Sequence, residues 1–318
     1  MEKNKPLVIL AGPTASGKTA LSVRLCGEFS GSVISADSMQ VYHDMPIGSA
    51  RIRKEEMGNI PHYLIDLISP KEVWNVVRFQ EEARKAYTDI RTKERLPFLV
   101  GGTGFYIQSF LYDIDFTQMK DRGDYRADLE QLAAAGQGEK LYKMLCQQDP
   151  EAASSIHPNN LKRIIRALEF SHESGLKISE HNDAQRQKPP AYDQLYFVLT
   201  MEREALYRRI DDRVDQMLRD GLVEEVRCLK QSGLTEQDVS MQGLGYRQLF
   251  PYLEGKITLE EAVAMIKVQT RHFAKRQLTW FRREEKRSSI VWVDRSCFNN
   301  EEALYAFMKD KIREKYHL

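Results

Sequence analysis

The 318-residue chain combines 42% hydrophobic with 29% charged residues, and its 47 Lys and Arg against 46 Asp and Glu leave a formal net charge of +1. These numbers fit a globular protein of one large domain with a substantial insertion, or of two domains, and the global charge points to no polyanionic partner. No apolar run is long enough for a membrane span, no secretory or transit segment precedes the first apolar run, and Cys26, Cys146, Cys228 and Cys297 lack metal or disulfide spacing, so a cytoplasmic protein with reduced thiols, no membrane and no zinc site is expected.

Short apolar runs then alternate with longer helical patterns: strand 7–11, helix 18–29, strand 32–36, strand 62–67, helix 76–93, strand 97–101, helix 105–112. That alternation predicts a parallel sheet with helices on both faces. From 117 to 190 the pattern turns polar and mostly helical and closes on Gln185-Arg-Gln-Lys-Pro-Pro190, which marks an inserted helical domain. The sheet pattern resumes with a strand at 195–200, helices at 203–219, 222–231 and 258–284, a strand at 290–294 and a terminal helix. The expected architecture is therefore α/β, with a catalytic core of 1–116 and 191–318 interrupted by a helical insertion of 117–190.

Directly after the first strand, Gly12-Pro13-Thr14-Ala15-Ser16-Gly17-Lys18-Thr19 completes a G-x-x-x-x-G-K-[ST] phosphate loop. Its glycines let backbone N–H groups turn inward, Lys18 reaches terminal phosphates, the Thr19 hydroxyl can ligand Mg²⁺, and the helix that follows adds its positive end. A phosphorylated small molecule is the implied ligand, with a structural Gly-rich turn as the alternative. The second strand delivers Asp37 to the same carboxyl edge of the sheet. Its carboxylate can serve as general base toward an incoming nucleophile or hold Mg²⁺ through water, and an Asx turn is the competing structural reading. Beside it Ser38, Met39 and Gln40 supply a hydroxyl, a thioether and an amide, the last able to bond an adenine edge. The strand at 97–101 lacks the terminal acid that holds Mg²⁺ in P-loop nucleotide hydrolases. It runs instead into Gly101-Gly-Thr103-Gly, which leaves room for a bulky group or simply turns the chain.

Three basic clusters lie outside this loop. Asn160 is a candidate N-cap, after which Lys162, Arg163 and Arg166 can share one helical face while Ile164, Ile165 and Leu168 form the apolar side. Arg271, Lys275 and Arg282 recur along 258–284, and the arginines of 207–213, Arg213 among them, could reach a diphosphate. Each cluster alone reads as a solvated charged face, whereas three around one phosphate site favour an RNA or DNA substrate.

Taken in order, Gly12 to Thr19, Asp37-Ser-Met-Gln40-Val-Tyr42, Ile47-Gly48, Gly101 to Tyr106, Ile156-His-Pro-Asn159, Arg163 to Glu169, Gly245-Tyr-Arg-Gln248 and Lys275 to Arg282 resemble the tRNA dimethylallyltransferase family nearly end to end. The resemblance implies a P-loop NTPase-like fold and transfer of a dimethylallyl group from dimethylallyl diphosphate to N6 of the adenine just 3′ of the anticodon in tRNA. It further implies Asp37 as the base, with the backbone of 12–19, Lys18, a Thr19-bound Mg²⁺ and Arg213 stabilising the leaving diphosphate. The target base, flipped from its stack, would meet Ser38, Met39 and Gln40. Thr103 and Arg126 become implied tRNA contacts, and Lys162, Arg163, Ile164, Ile165 and Arg166 would meet the anticodon stem-loop. Lys162 stands where Gln or Arg is expected, a point charge in place of a planar donor group. A bacterial-type member without a C-terminal zinc finger, acting as a monomer, is expected. The rival classes are a small-molecule kinase of the shikimate or nucleoside type, with ATP on the same loop, and an RNA-binding protein switched by a nucleotide.

Overall fold

The computed structural model describes residues 5–116 and 124–318; the first four residues and the expected start of the insertion at 117 lie outside them. The described chain forms two compact units, Met1–Leu111 with Pro190–Leu318, and Tyr112–Pro189. The first unit opens with β1 (Pro6–Ala11), α1 (Lys18–Glu28), β2 (Gly31–Ala36), β3 (His62–Tyr63), α2 (Val76–Thr92), β4 (Leu96–Gly101) and α3 (Gly104–Leu111). The second unit holds α4 (Asp124–Ala134), α5 (Gly138–Gln148), α6 (Pro150–Ser155), α7 (Leu161–Ser174) and α8 (Ile178–Gln187). The first unit then resumes with β5 (Asp193–Thr200), α9 (Arg203–Arg219), α10 (Leu222–Gln231), α11 (Tyr246–Leu253), α12 (Leu259–Glu284), β6 (Ile290–Asp294) and α13 (Glu301–Tyr316).

All six strands pair in parallel, in the order β3-β2-β4-β1-β5-β6. Every residue of β1, β2 and β4 is buried, as continuous apolar strands covered by helices on both faces should be. Leu21 and Leu25 of α1 and Leu304, Met308 and Ile312 of α13 pack in one cluster with Val8, Val33, Phe98 and Phe197 of the sheet. Because β1 lies between β4 and β5, the strand order reverses at β1, and the carboxyl end of such a strand is where α/β sheets bind ligands.

Local chemistry explains the helix starts. Asn75 accepts from Arg78 N–H at 3.0 Å ahead of α2, and Thr258 and Glu261 exchange reciprocal capping bonds at the head of α12. The expected strand at 62–67 shortens to β3 because Leu64 (φ 62°) and Asp66 (φ 54°) leave the extended region, with the Asp66 carboxylate held by His43 and Arg51. Helix α11 was not among the expected elements; its apolar face of Tyr246, Leu249 and Phe250 is only two turns long and contains Pro251.

In the second unit, Leu129, Leu141, Leu145, Ile164, Ile165 and Leu168 form the core, and the buried Asp149 carboxylate accepts from Ala152 N–H and from the N–H and hydroxyl of Ser179. Asn160 caps α7 as its sequence suggested, accepting from Arg163 N–H. Ile164 and Ile165 are 0% and 5% exposed, which corrects their place among the RNA-facing residues: their side chains brace the helix that presents Lys162 and Arg163 to solvent. Among the described residues no helix is long and apolar enough to cross a membrane.

Candidate active site

The carboxyl ends of β1, β2 and β4 open into a cleft of about 470 Å³, closed further by residues of α9 and α12 and by the segment 239–247. That volume suits a small-molecule ligand together with one reacting group. The phosphate loop forms one wall. The Lys18 ammonium donates to the carbonyls of Gly12 (3.0 Å) and Pro13 (2.7 Å). Burial, and then the nearby Arg213 charge, lower its pKa from 10.5 to about 7, while Asp37 pulls in the opposite direction. Arg213, itself lowered by burial with Asp37 opposing, reaches Thr14 Oγ1 at 3.4 Å. Two further guanidiniums hold loop carbonyls: Arg209 Nε donates to Ala15 at 3.0 Å, and Arg295 Nη1 to Ser16 at 3.3 Å. Positive charge from Lys18, Arg209 and Arg213 therefore gathers around the loop, while Arg295 is also paired with Glu301.

Asp37 emerges from β2 onto this cleft. Its Oδ1 accepts from Met39 N–H at 2.8 Å and Gln40 N–H at 3.4 Å, so the Asx turn is present and serves to fix a carboxylate that lines the cleft. Ser38, Met39 and Gln40 line the same wall, as do Thr19 and Thr103. Thr103 N–H donates to the Ala36 carbonyl at 3.2 Å, and the Thr103 carbonyl starts α3 by accepting from Tyr106 N–H at 2.9 Å. The missing acid at the end of β4 has a steric reason: a Cβ at Gly101 would drive into the Ala36 backbone, its register partner on β2.

Other parts of the site carried no assigned role in the sequence. Gln277 of α12, 7% exposed, accepts from Thr14 N–H at 2.9 Å and donates to the Gly102 carbonyl at 2.9 Å. Glu225 of α10 accepts from Ile47 N–H (2.7 Å), Gly48 N–H (2.9 Å) and Tyr246 hydroxyl (2.7 Å), which pins the cleft wall formed by Gly48 and Ser49. Gln277 and Gly48 both lie inside motifs that were recognised, so a signal was present; Arg295 had none. In the second unit Arg126 donates to Glu169 at 2.9 Å and Glu130 at 2.8 Å, and Arg166 lies 3.7 Å from the same Glu169. In the 258–284 stripe, Arg271 pairs with Asp211 at 3.2 Å.

A family model described as IPP transferase matches residues 40–284, and one described as isopentenyl transferase matches residues 5–69. A tRNA dimethylallyltransferase of Lachnoclostridium phytofermentans is 50% identical to this chain over 98% of both. The chain belongs to the tRNA dimethylallyltransferase family. Its fold is the P-loop NTPase-like parallel sheet flanked by helices. The crystal structure of the full-length tRNA isopentenylpyrophosphate transferase of Bacillus halodurans is 40% identical, with a TM-score of 0.73 and 99% of each chain covered. A eukaryotic dimethylallyltransferase captured in crystallographic snapshots acting on tRNA is 30% identical, with a TM-score of 0.85 over 98% of this chain and 80% of its own.

Proposed function

We infer that this dimethylallyltransferase moves the dimethylallyl group of dimethylallyl diphosphate to N6 of the adenine 3′-adjacent to the anticodon of tRNA, releasing diphosphate. The observation that carries this is a carboxylate, Asp37, fixed by its own Asx turn on the cleft that also holds the phosphate loop. Adenine N6 is a weak nucleophile because its lone pair is delocalised into the ring, so it must be held in line with the allylic carbon and lose a proton as it attacks. The new bond joins N6 to that carbon, the carbon–oxygen bond to diphosphate breaks, and the N6 proton passes to Asp37. Charge grows on the departing diphosphate. The backbone N–H groups of 12–19, Lys18 and Arg213 meet it there. Ser38, Met39 and Gln40 wall the space for the flipped adenine, and Thr103 lies beside them.

The donor set also suits Mg²⁺. Thr19 offers a hard hydroxyl oxygen at the cleft beside Lys18, which suits an ion that keeps water and takes further ligands from substrate phosphates. Bound beside Thr19, it would neutralise charge on the diphosphate. Lys162 and Arg163, exposed on α7, together with Arg126 and Arg166, are assigned to the anticodon stem-loop, with Ile164 and Ile165 supporting them from the core. The enzyme is read as a cytoplasmic monomer.

The test is incubation with Mg²⁺, labelled dimethylallyl diphosphate and an anticodon stem-loop, followed by digestion to nucleosides. Label in N6-dimethylallyl-adenosine is the expected result. An unlabelled RNA together with ATP consumption against a small alcohol would transfer the cleft to the kinase class.

A further inference from the structure

The phosphate loop contains a strained residue. Ala15 has φ 62°, in the left-handed region that L side chains avoid. Such conformers persist where the surroundings over-determine them. Several contacts hold it: Ser16 N–H bonds to the Pro13 carbonyl at 3.3 Å, Lys18 bonds the Gly12 and Pro13 carbonyls, Arg209 and Arg295 hold the Ala15 and Ser16 carbonyls, Arg213 reaches the Thr14 hydroxyl, Ala15 packs against Leu206, Ile210 and Ala274, and Gln277 holds the Thr14 N–H. The Gln277 contact differs in kind. It comes from α12, 263 residues away in sequence, and the same amide donates to the Gly102 carbonyl at the end of β4. One partner demands an acceptor and the other a donor, so the carboxamide has one possible orientation. Gly102 completes the fit, because a Cβ there would collide with the Gln277 amide nitrogen.

We propose that Gln277 is a positioning residue that holds the Thr14–Ala15 turn in its anion-binding conformation and ties it to the Gly101–Gly102 turn. The proposal rests on reading the loop as the diphosphate site. Both amide atoms of Gln277 bond the protein, one accepting from Thr14 and one donating to Gly102, so its action on the ligand runs through the loop. Without it, the bond that holds the Thr14 N–H is lost, the restraint on positive φ at Ala15 weakens, and part of the loop ordering must be supplied each time an anion binds. The loss falls on diphosphate affinity and on the KM for the prenyl diphosphate, and less on kcat or on the KM for tRNA.

The experiment is calorimetric titration of the full chain with inorganic diphosphate, with steady-state kinetics in parallel, for wild type, Gln277→Met, Gln277→Glu and the double variant Gln277→Met with Ala15→Gly. Gln277→Met is expected to bind diphosphate about tenfold more weakly, the scale of one or two lost neutral hydrogen bonds. Adding Ala15→Gly should recover about three- to fivefold, because glycine occupies positive φ without strain. A role in packing alone would not be rescued by that change. Relative to wild type at each pH, Gln277→Glu should bind weakly near pH 8 and recover toward pH 5, where the protonated carboxyl again offers one donor and one acceptor; this variant decides the matter if Gln277→Met does not fold. Folded Gln277 variants with wild-type diphosphate affinity, or a Met variant that glycine fails to rescue, would overturn the proposal while leaving the diphosphate site intact. Wild-type protein that binds no diphosphate would instead overturn the site reading beneath it.

Discussion

Lys18 makes diphosphate affinity depend on pH in a calculable way. In the free protein its ammonium loses a proton at about 7, mainly because it is buried and secondarily because Arg213 lies near. A bound diphosphate supplies the negative charge that burial denies, which returns the pKa toward or above the ordinary 10.5. The sign follows. A group whose pKa rises on binding takes up a proton with the ligand, so affinity is greatest where the free protein is already protonated and declines as pH climbs above 7. Half of Lys18 is charged at about pH 7 and about 1% at about pH 9, so affinity should fall about 50-fold across that interval. A diphosphate monoester adds no opposing trend, because its last ionisation lies near pH 6, like other phosphate second ionisations, and is almost complete by about pH 7.5. The assay is calorimetric titration with dimethylallyl diphosphate at constant ionic strength. Lys18→Arg should abolish the slope, since a guanidinium stays charged throughout. Arg213→Met should move the break to higher pH, and Asp37→Asn to lower pH, by removing a repelling and an attracting charge respectively. A flat wild-type profile between pH 7 and 9 would refute the electrostatic account.

Three other outcomes follow from the same geometry. Asp37→Ala should lower single-turnover prenyl transfer by about 10²–10⁴-fold while filter-binding affinity for tRNA stays near wild type, and near-normal turnover would remove Asp37 as base. Lys162→Ala with Arg166→Ala should weaken stem-loop binding and reduce the slope of log affinity against log salt by about one to two; an unchanged slope would leave this helix a solvated face. Glu225→Ala strands the N–H groups of Ile47 and Gly48 and the Tyr246 hydroxyl, so thermal or denaturant unfolding should show a loss of about 2–4 kcal/mol, and a loss below about 0.5 kcal/mol would mean those groups are well hydrated without it.

Much of the fold was legible because its signals are local. Alternating buried strands and capped helices announce a parallel α/β sheet within windows of about ten residues, and the phosphate loop is a contiguous stretch of chain. The errors were local too. The strand at 62–67 failed at Leu64 and Asp66, where loop contacts imposed positive φ on residues with no glycine to advertise it. Ile164 and Ile165 joined the stem-loop residues only through the resemblance, whereas the helical periodicity already placed them on the apolar side, and they lie in the core.

By itself the sequence determined the loop of Gly12 to Thr19, the Asp37 carboxylate at a strand end and the basic run after Asn160, since each depends on covalent spacing. Only the tertiary structure decided that Gln277 would hold Thr14, that Arg295 would flank Ser16 and that Glu225 would pin Gly48. Those contacts exist because β1 sits between β4 and β5, which brings segments up to 279 residues apart to one edge of the sheet. No local window of sequence encodes that adjacency; it follows from burying six strands in a single order.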